Sequence, residues 1–171
     1  MFKEPGRVFR PRPLPLLTWL SQLPPGRLLL LVYGLLLFGG ALPYLVAPES
    51  LGSWKPHPRG FQESVAWTVF LHNALIALLI SHFLPWLEGF LPPVWRGKWA
   101  GKLFLLCSAL VTGVMASPHG LPQGAWYLAL ALPLALGEYL AFTLAAFGRI
   151  GIALLLLALL ALYEGWISGM V

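Results

Sequence analysis

The chain has 171 residues, 58% of them hydrophobic and only 10% charged, and its 6 acidic residues are all glutamate. Soluble domains carry about 25% charged residues, so this composition excludes an ordinary water-soluble domain and points to a protein built for a bilayer. The formal net charge of +5 would suggest a polyanionic partner in a soluble protein, but topology accounts for it here, and nucleic acid is not expected as a partner.

Residues 1–13, MFKEPGRVFRPRP, place Lys3, Arg7, Arg10 and Arg12 among prolines. This is too little apolar surface to pack and too much proline for a helix, so it reads as a basic arm. The following LPLLTWLSQLPPGR sets Leu16, Leu17, Leu20 and Leu23 at helical spacing with Trp19 beside them. That pattern predicts a short amphipathic helix lying in the headgroup layer and ended by Pro24 and Pro25. The arm and this helix form one region, 1–25, and residues 26–171 form a transmembrane helical domain. A signal peptide is not expected, because the basic, proline-rich stretch precedes the first apolar run and no small-residue cleavage site follows it.

Apolar runs over 27–46, 64–90, 101–116, 124–147 and 150–168 predict an all-α, polytopic membrane bundle of about five spans in a bacterial inner membrane. The third run is short against the roughly 20 residues needed to cross the hydrocarbon. It must begin at a snorkelling Lys98 or Lys102, or insert only part way. A cytoplasmic N-terminus puts Lys3, Arg7, Arg10, Arg12, Arg27, Arg96, Lys98, Lys102 and Arg149 inside and only Lys55 and Arg59 outside, as the positive-inside rule requires. The basic excess is then topology and attraction to anionic lipid, and Arg7, Arg10, Arg12, Trp19, Arg96, Lys98 and Lys102 are expected to touch lipid or a cytosolic partner. The entries LPPGRLLLL and LPPVWRGKWAGKLFLL hint at a parallel repeat of spans one-two and three-four, although Pro and Arg also mark cytosolic helix starts in general. Cys107, the one cysteine, offers no disulfide framework and is expected to be a small packing residue.

Ionisable side chains inside lipid are costly and mark function or a buried partner. His72, Asn73, His82, Glu138 and Glu164 fall within the apolar runs, and Glu88 falls at the cytosolic interface beside Trp86. His72 and Asn73 are expected to hydrogen-bond between helices. Glu138 needs a proton, a cation, a wet cavity or a histidine partner. At 1.5 Å per residue, His72 lies about 12 Å and Glu138 about 21 Å below the outer ends of their spans, which argues against one shared site without tilt or water. Ser108, Thr112 and Gly113 read as small-residue packing against a neighbouring helix. The chain has no H-E-x-x-H, no G-x-S-x-G and no Walker motif, so no catalytic residue, metal or cofactor is assigned, and nucleotide hydrolysis would have to come from another chain.

Between spans three and four, residues 117–124 contain Pro118, His119, Gly120, Pro122, Gln123 and Gly124. Pro118 is expected to stop span three, Gly120 to permit a tight turn, and Pro122 with Gln123 to open span four, as an external turn or a re-entrant cap. A FLHNALIALL second span followed by an SPHGLPQGAW hairpin resembles the stage II sporulation protein M family, whose members carry an Asn-Asn pair in an early span and a Pro-His-Gly-x-x-Glu hairpin. Asn73 matches the second asparagine and His72 replaces the first. Pro118, His119 and Gly120 match the hairpin, and Gln123 stands where the family has glutamate. The resemblance covers roughly residues 64–150. It implies a non-enzymatic membrane scaffold or permease-like subunit of a multi-protein complex, with cell-wall hydrolase partners in the sporulation member. The residues themselves leave other readings open: the transmembrane half of a transporter energised by a cytosolic ATPase, a homo-oligomer, a packing subunit, or a membrane-embedded enzyme using His72, His119 and Glu138.

Overall fold

Long apolar runs offer their amides no side-chain partners, so the backbone satisfies itself as helix. The computed structural model describes residues 14–46, 60–120 and 125–169, and no strand occurs among them. The elements are α1 Pro15–Gln22, α2 Pro25–Val46, α3 Glu63–Leu78, a π turn Leu79–Phe83, α4 Leu84–Glu88, a 3-10 turn Pro93–Trp95, α5 Ala100–Gly120, α6 Ala125–Ala146 and α7 Ile150–Ser168. Helix follows each predicted apolar run. Three stretches, Pro25–Leu42, Glu63–Glu88 and Ile150–Ser168, are long and apolar enough to cross a membrane, while the apolar parts of α5 and α6 among the described residues are shorter. Arg7, Arg10 and Arg12, the loop with Lys55 and Arg59, and Gln123 lie outside the described residues.

The third helix corrects the sequence reading. It does not stop at Ala116 or at Pro118 but runs 21 residues to Gly120. A proline beyond the first turn forfeits one ladder bond and crowds the carbonyl one turn back, at about 3 kcal/mol in a helix interior, and here the helix continues only two residues past it. Pro133 is likewise accommodated inside α6.

Contacts fix the direction of each helix. Lys102, at the start of α5, reaches the carbonyls of Ser21 and Leu23 just before α2, and further along Gly113 of α5 meets Leu36 and Gly40 of α2, so α2 and α5 are parallel. Phe147, just past α6, lies under Lys102, which makes α6 antiparallel to α5. Gly148 then turns the chain at φ +79, with Arg149 N–H bonded to Leu144 O and Gly148 N–H to Ala145 O. This is a Schellman ending, in which glycine supplies the left-handed residue. At the far end of α7, Gly165 O accepts from Gln62 N–H and Gly169 O from Gly60 N–H, which ties α7 antiparallel to α3.

One end of the bundle therefore collects α1, the starts of α2, α5 and α7, and the ends of α4 and α6. Every lysine and arginine among the described residues (Arg27, Arg96, Lys98, Lys102 and Arg149) sits at that end. The core running between the ends is built from Leu28, Val32, Leu36, Ala77, Leu105, Ala109, Ala141, Ala145, Ala153 and Leu157, with alanines and glycines at the closest approaches. α1 docks by Leu20 and Leu23 and leaves Leu14, Leu16 and Trp19 exposed. Cys107 does not pack inside as expected: it is exposed.

Candidate functional site

The polar side chains of the mid-bundle converge on α6. The Asn73 amide of α3 donates to Oε1 of Glu138. Asn73 is buried and Glu138 half-buried. Glu164, half-buried on α7, lies close enough to Glu138 for the two carboxyls to feel one another. Around this pair, the Tyr33 hydroxyl of α2 donates to Leu136 O at 2.8 Å, the Tyr139 hydroxyl donates to Thr112 Oγ1 of α5 at 2.8 Å, and Thr143 donates back to Tyr139 O at 2.7 Å. One turn of α6, Leu136 to Tyr139, thus touches α2, α3 and α5 through polar groups, and Gly137 lets Leu160 of α7 pack against its Cα.

This geometry settles several sequence expectations. Asn73 makes the interhelical bond expected of it, and Glu138 is partnered by this amide. The depths set against a site shared by His72 and Glu138 do not separate Asn73 from Glu138, which meet directly. His72 does not share in this: it is exposed, since neighbouring residues on a helix point about 100° apart. Thr112 and Gly113 do pack against neighbours, with Thr112 also serving as acceptor for Tyr139. The backbones of Pro118, His119 and Gly120 form the last turn of α5, while Gln123 lies outside the described residues.

A second cluster fastens the basic end. Glu88 is 5% exposed, and its carboxylate accepts from the backbone N–H groups of Gly97 (3.3 Å), Lys98 (2.6 Å) and Ala100 (2.5 Å). It thereby caps the start of α5, where unpaired amides and the positive end of the helix dipole favour an anion. Its grip holds Lys98 at φ 56, a left-handed conformation rare for a residue with a Cβ. Lys102 was expected to snorkel to lipid or a partner, yet it is 4% exposed. Its ammonium donates to Ser21 O at 2.8 Å and Leu23 O at 2.9 Å and lies 5.0 Å from the centre of the Phe147 ring. It caps the end of α1 internally because these carbonyls have no helical partner of their own. Arg96, Lys98 and Trp19 remain exposed, as their expected contact role requires.

His82 follows neither cluster. It is exposed within the π turn, with Ser81 Oγ 2.6 Å from its Nδ1. Among the described residues no group of three or more His, Cys, Asp or Glu side chains converges. Compared with family models, curated proteins and solved structures, the chain matches none.

Proposed function

We propose that this chain is a multi-pass membrane subunit with α2, α3–α4, α5, α6 and α7 crossing the bilayer and its basic end in the cytoplasm, acting as a scaffold or permease-like component beside other chains. The observation that carries this reading is the alternation of helix direction together with the gathering of every described lysine and arginine at one end. Five consecutive crossings generate that alternation, and the positive-inside rule assigns that end. The apolar girdle between the ends supports it, with Leu30, Leu75, Met115 and Leu155 all more than 60% exposed. In water such a surface would be an aggregation site, whereas hydrocarbon is its natural solvent. The stage II sporulation protein M resemblance favours a scaffold, and Asn73, its matching residue in the second span, is the one that holds Glu138.

The half-buried Glu138, with Glu164 nearby, supports a second reading, in which the same bundle is the membrane half of a transporter driven by a cytosolic ATPase. We assign no catalytic role, since His72 and Glu138 face different surroundings. Two experiments test these readings. A thiol introduced near His119 in a Cys107→Ala background should react with impermeant maleimide in intact cells while one near Arg10 does not, and the reverse pattern refutes the orientation. Glu138→Gln that assembles normally with co-purifying partners but abolishes function selects the transporter, whereas loss of assembly in both Glu138→Gln and Glu138→Leu selects the scaffold.

A further inference from the structure

The outward face of α3 and α4 is not smooth. In a regular helix the ring of Pro85 would press on the carbonyl of Ser81 and leave it without a donor. The chain answers with the π turn Leu79–Phe83, in which Leu84 N–H bonds Leu79 O, an insertion often found at functional places. Beside it lies a shallow groove, open along its length, lined by Leu75, Leu78, Ser81, His82, Phe83 and Trp86. Its walls are apolar, but the Ser81–His82 pair forms a polar notch in them, with Nε2 as the ring nitrogen left for a bound molecule. Such a notch facing hydrocarbon is costly unless an occupant brings a polar group to it.

The groove has a direction. Phe83 stacks on Trp86 at 5.7 Å, and Trp86 meets Phe90 edge-on at 4.7 Å, an aromatic ladder descending to the basic end. Just past Phe90, the guanidinium of Arg96 is anchored through Nε on Leu91 O at 2.8 Å, leaving its terminal nitrogens free of that bond, and Arg96 and Lys98 are both exposed. Glu88, the one described acid at this end, is turned inward with its oxygens engaged by backbone amides, so it does not offset these cations at the surface. Trp86 is the kind of residue that sits at glycerol depth, and His82, four residues earlier, lies about 6 Å deeper.

An apolar wall, a polar notch about one turn in, and an uncompensated cationic foot match the three parts of one molecule. We propose that this groove binds a single anionic phospholipid of the leaflet at the basic end, with an acyl chain along Leu75 to Phe83, an ester oxygen at the Ser81–His82 pair and the phosphate at Arg96. This rests on the membrane reading above. The full chain, purified in mild detergent and incorporated into nanodiscs of equimolar dioleoylphosphatidylglycerol and dioleoylphosphatidylcholine, is released and weighed by native mass spectrometry. The expected result is one retained phosphatidylglycerol per chain under conditions that strip phosphatidylcholine. Arg96→Gln should lower that occupancy about fivefold, the factor expected from removing one cation at a lipid surface. His82→Leu should also lower it with thermal stability unchanged, whereas Glu63→Gln at the opposite end should leave it intact. Equal retention of the two lipids, full retention in Arg96→Gln, or displacement by soluble glycerol phosphate overturns the lipid site alone. A chain that stays monodisperse without detergent overturns the membrane reading beneath it.

Discussion

In the proposed membrane setting hydrocarbon gives helices no hydrophobic reason to associate, so close packing would hold the α2–α5 pair, and its glycines make that testable. A Cβ on Gly113 would stand 2.2 Å from Leu36 O and 2.9 Å from Gly40 N, and one on Gly39 would stand 2.5 Å from Leu110 O. These obstacles are backbone atoms and cannot rotate away, so alanine at either position forces the helices apart by about 1 Å, a gap that forfeits a quarter to a half of the dispersion attraction across it. Overpacking of this kind costs about 1–3 kcal/mol. Gly34 lies on the same helix with nothing within 4 Å of its would-be Cβ, so Gly34→Ala should stabilise by up to about 1 kcal/mol through helix propensity alone. One chemical change on one helix should thus differ in sign with position. The double variant Gly39→Ala/Gly113→Ala should cost less than the sum of the singles, because both remove the same approach. Unfolding in mixed dodecylmaltoside–dodecylsulfate micelles, followed by far-ultraviolet circular dichroism, measures all four. If Gly113→Ala is as stable as Gly34→Ala, the crossing described here is wrong.

Two further expectations concern the basic end. Glu88→Ala strands the amides of Gly97, Lys98 and Ala100, and at about 1–3 kcal/mol for a buried unsatisfied group, reduced where water from the interface replaces the carboxylate, it should destabilise by about 2–4 kcal/mol in the same assay; a change under about 0.5 kcal/mol would mean the cap is not formed. Lys102→Met keeps the side-chain volume but removes the two bonds to Ser21 and Leu23, so trypsin should cut at Arg27 faster than in the parent chain, and unchanged cutting would show that α1 is held by Leu20 and Leu23 alone.

Helix positions were legible because they depend on composition along one line of chain, and the apolar runs differ from the observed helices by only a few residues except at Pro118. The lateral contacts were less so. The partner of Lys102 is 79 to 81 residues away, and a lysine opening an apolar run reads equally well as a snorkelling anchor. Asn73 and Glu138 are 65 residues apart, and nothing along the chain says which residue of α6 will face which residue of α3. One overlooked signal would have separated His72 from Asn73. Ala66, Asn73, Ala77 and Ile80 are the buried positions of α3 and the π turn, spaced 7, 4 and 3 apart, a helical stripe of mostly small residues that includes Asn73 and excludes His72. Glu88 as a cap was hidden because it closes a loop whose conformation, with Lys98 in the left-handed region, follows from the cap itself.

The two ends of the bundle are fastened by different chemistry, and this decides where it can give way. At the basic end, α1, α5 and the end of α6 meet at the single ammonium of Lys102, and Glu88 locks the α4–α5 loop. At the other end, α3 and α7 are joined backbone to backbone through Gly60, Gln62, Gly165 and Gly169, a tie that itself uses no ionisable side chain. α2 with α5 and α3 with α7 therefore act as two tightly paired units; α6 packs most extensively on α7 and is tied to the other helices by the Asn73–Glu138 bond and the Tyr33 and Tyr139 hydroxyls. Bonds of that kind between membrane helices are worth about 0.6–2 kcal/mol.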